Sequence, residues 1–285
     1  MKPNSEFMNL PKKFWASVRL ISQEVGYTGK STGQIKIPAA DEIDTKLQKF
    51  GVDFYRLQEQ KTDIGNFGQL LHDYFTYRAD ILNTYVEPRL MNAVRAKKVF
   101  RKYFDEMKPS CPIPMNKQKG KMKKPAYLTG LVNMLVEANA NGLPCDYDPH
   151  QLTIVTEDGL PVRTFARRVD GAFPSSVNPI AIWEIKEYYY TTTFGSRVAD
   201  GVYESLLDGL EIEELRENEN IDINHYLIVD AYDTWWKQGK SYLCRIIDML
   251  QMGYIDEALF GYEAIERLPD LVAEWVEIYQ SRQNE

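Results

Sequence analysis

The chain has 285 residues, with 34 Lys+Arg against 41 Asp+Glu and a net charge of −7. This acidic total argues against a histone-like or polybasic nucleic-acid binder. A 44 % hydrophobic content with 26 % charged residues is that of a globular protein with a real core, one large domain or two small ones. Cys111, Cys145 and Cys244 are odd in number and form no C-x-x-C pair, which fits a reducing compartment and speaks against a disulfide framework or a zinc site. His72, His150 and His225 are too scattered for a ligand pair and read as structural. There is neither a secretory leader nor an apolar window long enough for a membrane span, so a soluble cytoplasmic protein is expected.

In chain order, the first forty residues are mixed. Lys12, Lys13, Phe14 and Trp15 are followed by the glycine-rich stretch from Gly26 to Gly33. Thr28-Gly29-Lys30-Ser31 has the ending of a phosphate-binding loop, but Glu24 stands where the first glycine belongs and no apolar strand precedes it. The stretch therefore reads as a flexible loop. Residues 64 to 107 carry apolar and aromatic positions at helical spacing and predict two helices broken near Glu87-Pro88. Pro109, Pro112 and Pro114 close them, and a loop follows with Lys117, Lys119, Lys121, Lys123 and Lys124. From Ala126 to Ala140, Leu128, Leu131, Val132 and Leu135 mark one buried helix face.

The middle of the chain changes character. Leu152 to Thr156 predicts a strand, Glu157-Asp158-Gly159 a turn, and Val162 to Val169 a returning arm that ends in Asp170-Gly171. Ile180 to Lys186 is apolar on both faces, as a covered central strand should be, yet carries Glu184 and Lys186 at its end. A helix is expected over 196–216, a strand over 225–230, and helices near 240–251 and 269–281. The expected fold is a mixed α/β (α+β) core built on one compact sheet, with a mainly helical region over 1–125 and the core with its C-terminal helices over 126–285.

Side chains alternate along a strand, so Glu184 and Lys186 share a face and Ile185 takes the other. If the strand ending at Asp170 is a neighbour, two carboxylates and an ammonium converge. Two carboxylates with water suit Mg²⁺, and a cation there would neutralise phosphodiester charge while Lys186 orients the attacking water or meets the charge on phosphorus. A solvated strand face is the plain alternative, but Ile180 to Trp183 is too apolar for an exposed edge.

Val169-Asp170 followed by Glu184-Ile185-Lys186 resembles the D…E-x-K signature of the PD-(D/E)xK nuclease superfamily, which includes most type II restriction endonucleases. The helix–hairpin–strand–helix–strand order over about 126–231 is similar to that core, and Val169 stands where the motif's name has proline. The resemblance implies a Mg²⁺-dependent endodeoxyribonuclease (Mn²⁺ able to substitute). It further implies Asp170 and Glu184 as metal ligands and Lys186 as assistant to the nucleophile. A restriction enzyme acting on double-stranded DNA as a homodimer, prokaryotic or phage-encoded, is the subtype expected. A repair, junction-resolving or phage-defence nuclease is one alternative, and a non-catalytic DNA-binding protein on a nuclease-derived fold is another. By the same resemblance Glu137, an acid on the first core helix, is a candidate metal assistant, with a solvent-facing charge as the alternative. Asp200-Gly201-Val202-Tyr203 departs from the Q-x-x-x-Y motif of some relatives.

Charge is unevenly spread. Arg89 to Lys124 holds twelve Lys/Arg against Asp105 and Glu106, whereas Asp200 to Asp222 holds nine acids against Arg216. The first stretch, with the five loop lysines, predicts a grip on the phosphate backbone, in a loop that orders only on DNA. Ser196 or Thr193 could cap the following helix, and Arg197 is a candidate for the scissile phosphate. Trp235-Trp236 could stack bases, although core or dimer packing is the stronger reading.

Overall fold

The computed structural model describes residues 1–53, 61–62, 65–190 and 195–283, with backbone alone for 61–62, 65–66 and 196–197. Eight helices of eight or more residues are present among the described residues: α1 (Lys12–Val25), α2 (Ala40–Leu47), α3 (Phe67–Ile81), α4 (Ala93–Met107), α5 (Tyr127–Asn139), α6 (Ser196–Glu219), α7 (Lys240–Gln251) and α8 (Glu263–Gln283). The strands that matter for the site are β1 (Asp146–Tyr147), β2 (Ile154–Glu157), β3 (Leu160–Thr164), β4 (Gly171–Phe173), β5 (Ala181–Glu187), β6 (Asn224–Asp230) and β7 (Glu257–Phe260). Five of them form one mixed sheet in the order β1-β4-β5-β6-β7. The β2–β3 hairpin stands apart as a two-stranded sheet.

The mixed α/β class is therefore present, with two differences from the sequence expectation. The hairpin's second arm stops at Thr164, so Asp170 is not at its end; the chain bends and re-enters the main sheet at Gly171. The sequence reading did not find the two edge strands: β1 has only two residues, and β7, four residues long and buried against β6, has an Ala258-Leu259-Phe260 run with no alternation to mark it.

β5 lies at the centre, antiparallel to β4 and parallel to β6. Trp183 and Ile185, with Tyr226 and Ile228, pack beneath α5 and α8, and Trp183 stacks on Trp275 with ring centroids 5.5 Å apart. On the other face Leu227, Val229, Ala258 and Phe260 meet α6 and α7. Glu184 pairs with Leu227 and Lys186 with Val229, so the two charged side chains point into that second, apolar layer.

Gly171 is required by this packing. It sits opposite Trp183, and a Cβ there would fall 2.1 Å from the indole ring. The Asp170-Gly171 pair thus joins a site carboxylate to the residue that admits the tryptophan beside it.

Before the sheet, the helix over 64–107 breaks slightly later than Glu87-Pro88. α3 continues through a π-helical turn, Leu82–Val86, to Arg89, and α4 restarts after Asn92, whose side chain caps it by accepting from Arg95 N at 2.9 Å. At the C-terminus α8 begins at Glu263 and carries Pro269 in its interior, where the sequence reading placed a helix start. The glycine-rich stretch forms a closed turn: Gly33 N donates to Gly29 O at 2.8 Å, Gly29 N to Gln34 O at 2.8 Å and Lys36 N to Tyr27 O at 2.9 Å.

The N-terminal helices have their own aromatic cluster, including Phe14, Trp15, Phe67, Tyr74 and Phe75. They are tied to the core by a buried ion pair, Arg78 Nη1 to Asp248 Oδ1 at 2.9 Å, with Tyr74 Oη donating to the same oxygen at 2.5 Å. No helix among the described residues is long and apolar enough to cross a membrane.

Candidate active site

Asp170, Glu184 and Lys186 come together. Asp170 N donates to Trp183 O at 3.1 Å, which sets it beside Glu184, and its Oδ2 accepts from Ile185 N at 2.7 Å. Lys186 Nζ donates to Glu184 Oε2 at 2.8 Å. Glu184 is fully buried and Lys186 nearly so. Gly201 on α6 lets the lysine stem pass: a Cβ there would stand 3.0 Å from both Lys186 Cδ and the Tyr188 hydroxyl.

Three further residues complete the cluster. Lys186 Nζ also donates to Glu204 at 2.7 Å. Arg167, in the bend between hairpin and β4, sets Nη1 at 2.8 Å from Glu184 Oε1 and 2.5 Å from Asp208 Oδ2, with Nη2 at 3.6 Å from Glu204. Asp208 is fully buried, and its Oδ1 accepts no hydrogen bond. The sequence does place Glu204 and Asp208 four residues apart on one helix stripe, and such a stripe facing an apolar sheet needs counter-charges. That signal points toward Arg167 only once the sheet is built.

The four carboxylates outnumber the two cations. Burial, then the neighbouring Glu184 charge, pushes the Asp170 carboxyl up to about 7 against the pull of Lys186. Burial likewise pushes Asp208 up to about 7, although Arg167 opposes it. Glu184 goes the other way: burial would raise it, but Lys186 and Arg167 hold it below the usual carboxylate range. Burial pulls on Lys186 too, yet Glu184 and Asp170 hold its ammonium above the ordinary lysine value. Lys186 is therefore a firmly charged group that can meet an anion, and not a base.

The other predicted residues lie elsewhere. Glu137 sits near the C-terminal end of α5, where its carboxylate accepts from Ser110 N at 3.1 Å and from the Ser110 hydroxyl. The N-terminus of that helix is held by Glu187, which accepts from Tyr127 N at 2.8 Å and Thr129 N at 3.0 Å. Ten residues of helix, about 15 Å, separate the two ends, and α5 covers the sheet face opposite Glu184 and Lys186. Glu137 therefore does not join the cluster.

Lys117, Lys119, Lys121, Lys123 and Lys124 are all exposed, in the loop that leads into the Glu187-capped end of α5. Trp235 and Trp236 are both buried in the core, and Trp235 Nε1 donates to Lys186 O at 3.3 Å. Neither is available to stack a base. The Arg197 side chain, and Thr191 to Phe194 with the Thr193 cap, lie outside the described residues, as does the Ser196 side chain.

Residues 91–275, more than half of the chain, match the family described as "Domain of unknown function (DUF7687)". The chain belongs to that family. Residues 1–85 match a second, "Domain of unknown function (DUF7690)". No curated protein and no solved structure matches the chain. The DUF7687 segment holds the whole five-stranded sheet and all six residues of the cluster; the DUF7690 segment contributes Tyr74 and Arg78 to the buried tie with Asp248.

The cluster suits a hard divalent cation. Its donors are carboxylate oxygens, burial pushes two of its acids up, and Asp208 Oδ1 is buried without a partner. Among the described residues no group of three or more His, Cys, Asp or Glu is arranged to hold a metal. Asp170 and Glu184 form the pair on which Mg²⁺, completed by water, would rest.

Proposed function

We propose that this chain is a Mg²⁺-dependent endodeoxyribonuclease of the PD-(D/E)xK type, most simply a restriction-type enzyme acting on double-stranded DNA as a homodimer. The observation that carries the reading is the convergence of Asp170, Glu184 and Lys186 on one face at the C-terminal half of a central covered strand. Three charged groups in such a layer cost several kcal/mol unless they serve one another and a ligand. The order of β4, β5, α6 and β6 and the basic surface beside α5 support the same reading.

Asp170 and Glu184 would hold the metal, which when bound supplies Lewis-acid charge to a phosphodiester oxygen and acidifies a water. Lys186, held protonated by its carboxylate neighbours, would meet the extra negative charge that develops on phosphorus. Arg167, one-fifth exposed at its side chain, holds Glu184 and Asp208 in place from the bend before Asp170.

Both Glu184 oxygens are engaged by cations, Oε1 by Arg167 and Oε2 by Lys186, and this favours a second reading, a DNA-binding protein on a nuclease-derived fold. Plasmid DNA with Mg²⁺ or with EDTA separates the two. The nuclease reading expects metal-dependent cutting, lowered at least about a hundredfold by Asp170→Asn or Lys186→Met. Retained DNA binding without cutting would favour the second reading. Cutting that survives both substitutions would show that the chemistry lies elsewhere.

A further inference from the structure

The basic loop between α4 and α5 is built, not slack, which corrects the expectation that it orders only on DNA. Its neck closes where Met115 pairs with Pro125, and Asn116 N donates to Lys124 O at 2.8 Å. The Asn116 side chain ties the interior: Oδ1 accepts from Lys124 N at 3.1 Å, and Nδ2 donates to Met122 O at 3.0 Å. The tip is a 3₁₀ turn, Gly120–Met122, with Gly120 at φ +57°, in the left-handed region.

The tip's surface combines two features. Lysine ion pairs among the described residues involve Lys2, Lys36, Lys49, Lys186 and Lys237, and the five loop lysines are in none of them. Between Lys121 and Lys123, Met122 is 42 % exposed, and Met115 at the neck is 48 % exposed. An apolar, flexible side chain held at the apex of a cationic turn is poorly used in water. It matches a ligand whose anionic backbone flanks an apolar gap.

Duplex DNA is such a ligand: phosphates run along both edges of the minor groove, and apolar side chains can enter between base steps. We infer that Gly120–Met122 is a wedge, with Lys121 and Lys123 on phosphates of the two strands and Met122 inserted at a base step, kinking the duplex. The partner, double-stranded DNA, rests on the proposed function. The loop's root is also tied to the cluster: Glu187, next to Lys186, holds the first turn of α5, two residues beyond Pro125. A bend made at the tip would thus be registered against the strand that carries Glu184 and Lys186. An anionic lipid surface would need no such registration.

The test uses the full chain in EDTA, so that DNA is not cut, with duplexes carrying 2-aminopurine at a flexible TA step. Anisotropy reads binding and 2-aminopurine emission reads unstacking. Wild type is expected to bind and to raise emission. Met122→Ala should lose the rise while binding weakens no more than about threefold, since phosphate contacts dominate affinity. Met122→Leu should keep the rise. Lys121→Gln with Lys123→Gln should lower the slope of log K against log salt by about two. Flat emission on a duplex that wild type binds, or a rise that persists in Met122→Ala, overturns the wedge and leaves the nuclease reading standing. Failure of wild type to bind duplex overturns both. Co-sedimentation with phosphatidylserine vesicles in place of DNA binding would reassign the loop to a lipid surface and overturn the inference.

Discussion

Replacing Arg167 with methionine keeps much of the side chain's length and removes the guanidinium that touches both Glu184 and Asp208. Those acids are fully buried, while the Arg167 side chain is 20 % exposed. Breaking a buried ion pair from one side costs about 3–5 kcal/mol, and the partial exposure places this case near 3 kcal/mol. An unfolding entropy of about 2.1 cal/mol/K per residue gives a chain of 285 residues about 0.6 kcal/mol/K, so Tm should fall by about 5 °C at pH 8. The loss depends on pH in a definite direction. Without Arg167 the Asp208 carboxyl, already near 7, rises further, and Glu184 loses part of what holds it down. A carboxyl raised in the folded state costs stability increasingly as pH climbs from its unfolded value to its folded one. The deficit against wild type should thus be largest above pH 7 and shrink as pH falls below 7 and Asp208 takes up its proton, while the part owed to Glu184, which Lys186 still holds below the usual carboxylate range, persists. Differential scanning calorimetry across that range, without metal, measures it. A Tm within 1 °C of wild type at pH 8, or a loss equal at pH 4.5 and pH 8, would refute the account of Arg167 as the counter-charge of buried acids.

Gly171→Ala drives a methyl into the Trp183 ring, so it should cost at least the 1–3 kcal/mol typical of overpacking and alter the near-UV circular dichroism of the buried tryptophans. His225 is buried, its Nδ1–H donates to Tyr254 O at 2.7 Å, and its Nε2 is unpartnered; burial pulls its pKa down to about 4 despite that carbonyl. Its stabilising contribution is complete above the unfolded value of about 6.5 and is lost as pH falls to about 4, roughly 3 kcal/mol in all. Urea midpoints should show that acid-side loss, His225→Gln should flatten it, and an unchanged profile would exclude His225 as its source. Arg78→Met should destabilise by about 3–5 kcal/mol by stranding Asp248, and adding Asp248→Asn should recover part of that loss. Strictly additive losses in the double variant would show that the two residues do not act as a pair.

The parts legible in the sequence were those with local causes. Ile180 to Trp183 is apolar on both faces, and the structure covers β5 on both faces. Glu184 and Lys186 share a face because strand alternation leaves no other arrangement. The stripe Leu128, Leu131, Val132 and Leu135 is the buried side of α5. What escaped was set by closure of the fold. Arg167 lies in an irregular bend with no period, and only the antiparallel return of β4 brings it over Glu184. Glu137 was favoured because it is the acid on α5, yet which end of a helix approaches which sheet face is not written in its periodicity. The loop lysines were visible as charge, but the order of their loop depends on Asn116, one side chain with three backbone partners.

The Arg78–Asp248 tie bears on how this architecture can be inherited. The two matched families meet there, one supplying the guanidinium and the phenol, the other the carboxylate. A C-terminal segment borne on a chain without the N-terminal helices would lose both the guanidinium and the phenol that meet Asp248, and would open to water the face of α7 that they cover. The pair of segments is thus a single heritable unit across that seam: recombination can exchange what surrounds it, but a crossover between Arg78 and Asp248 succeeds only if the incoming piece brings the matching charge.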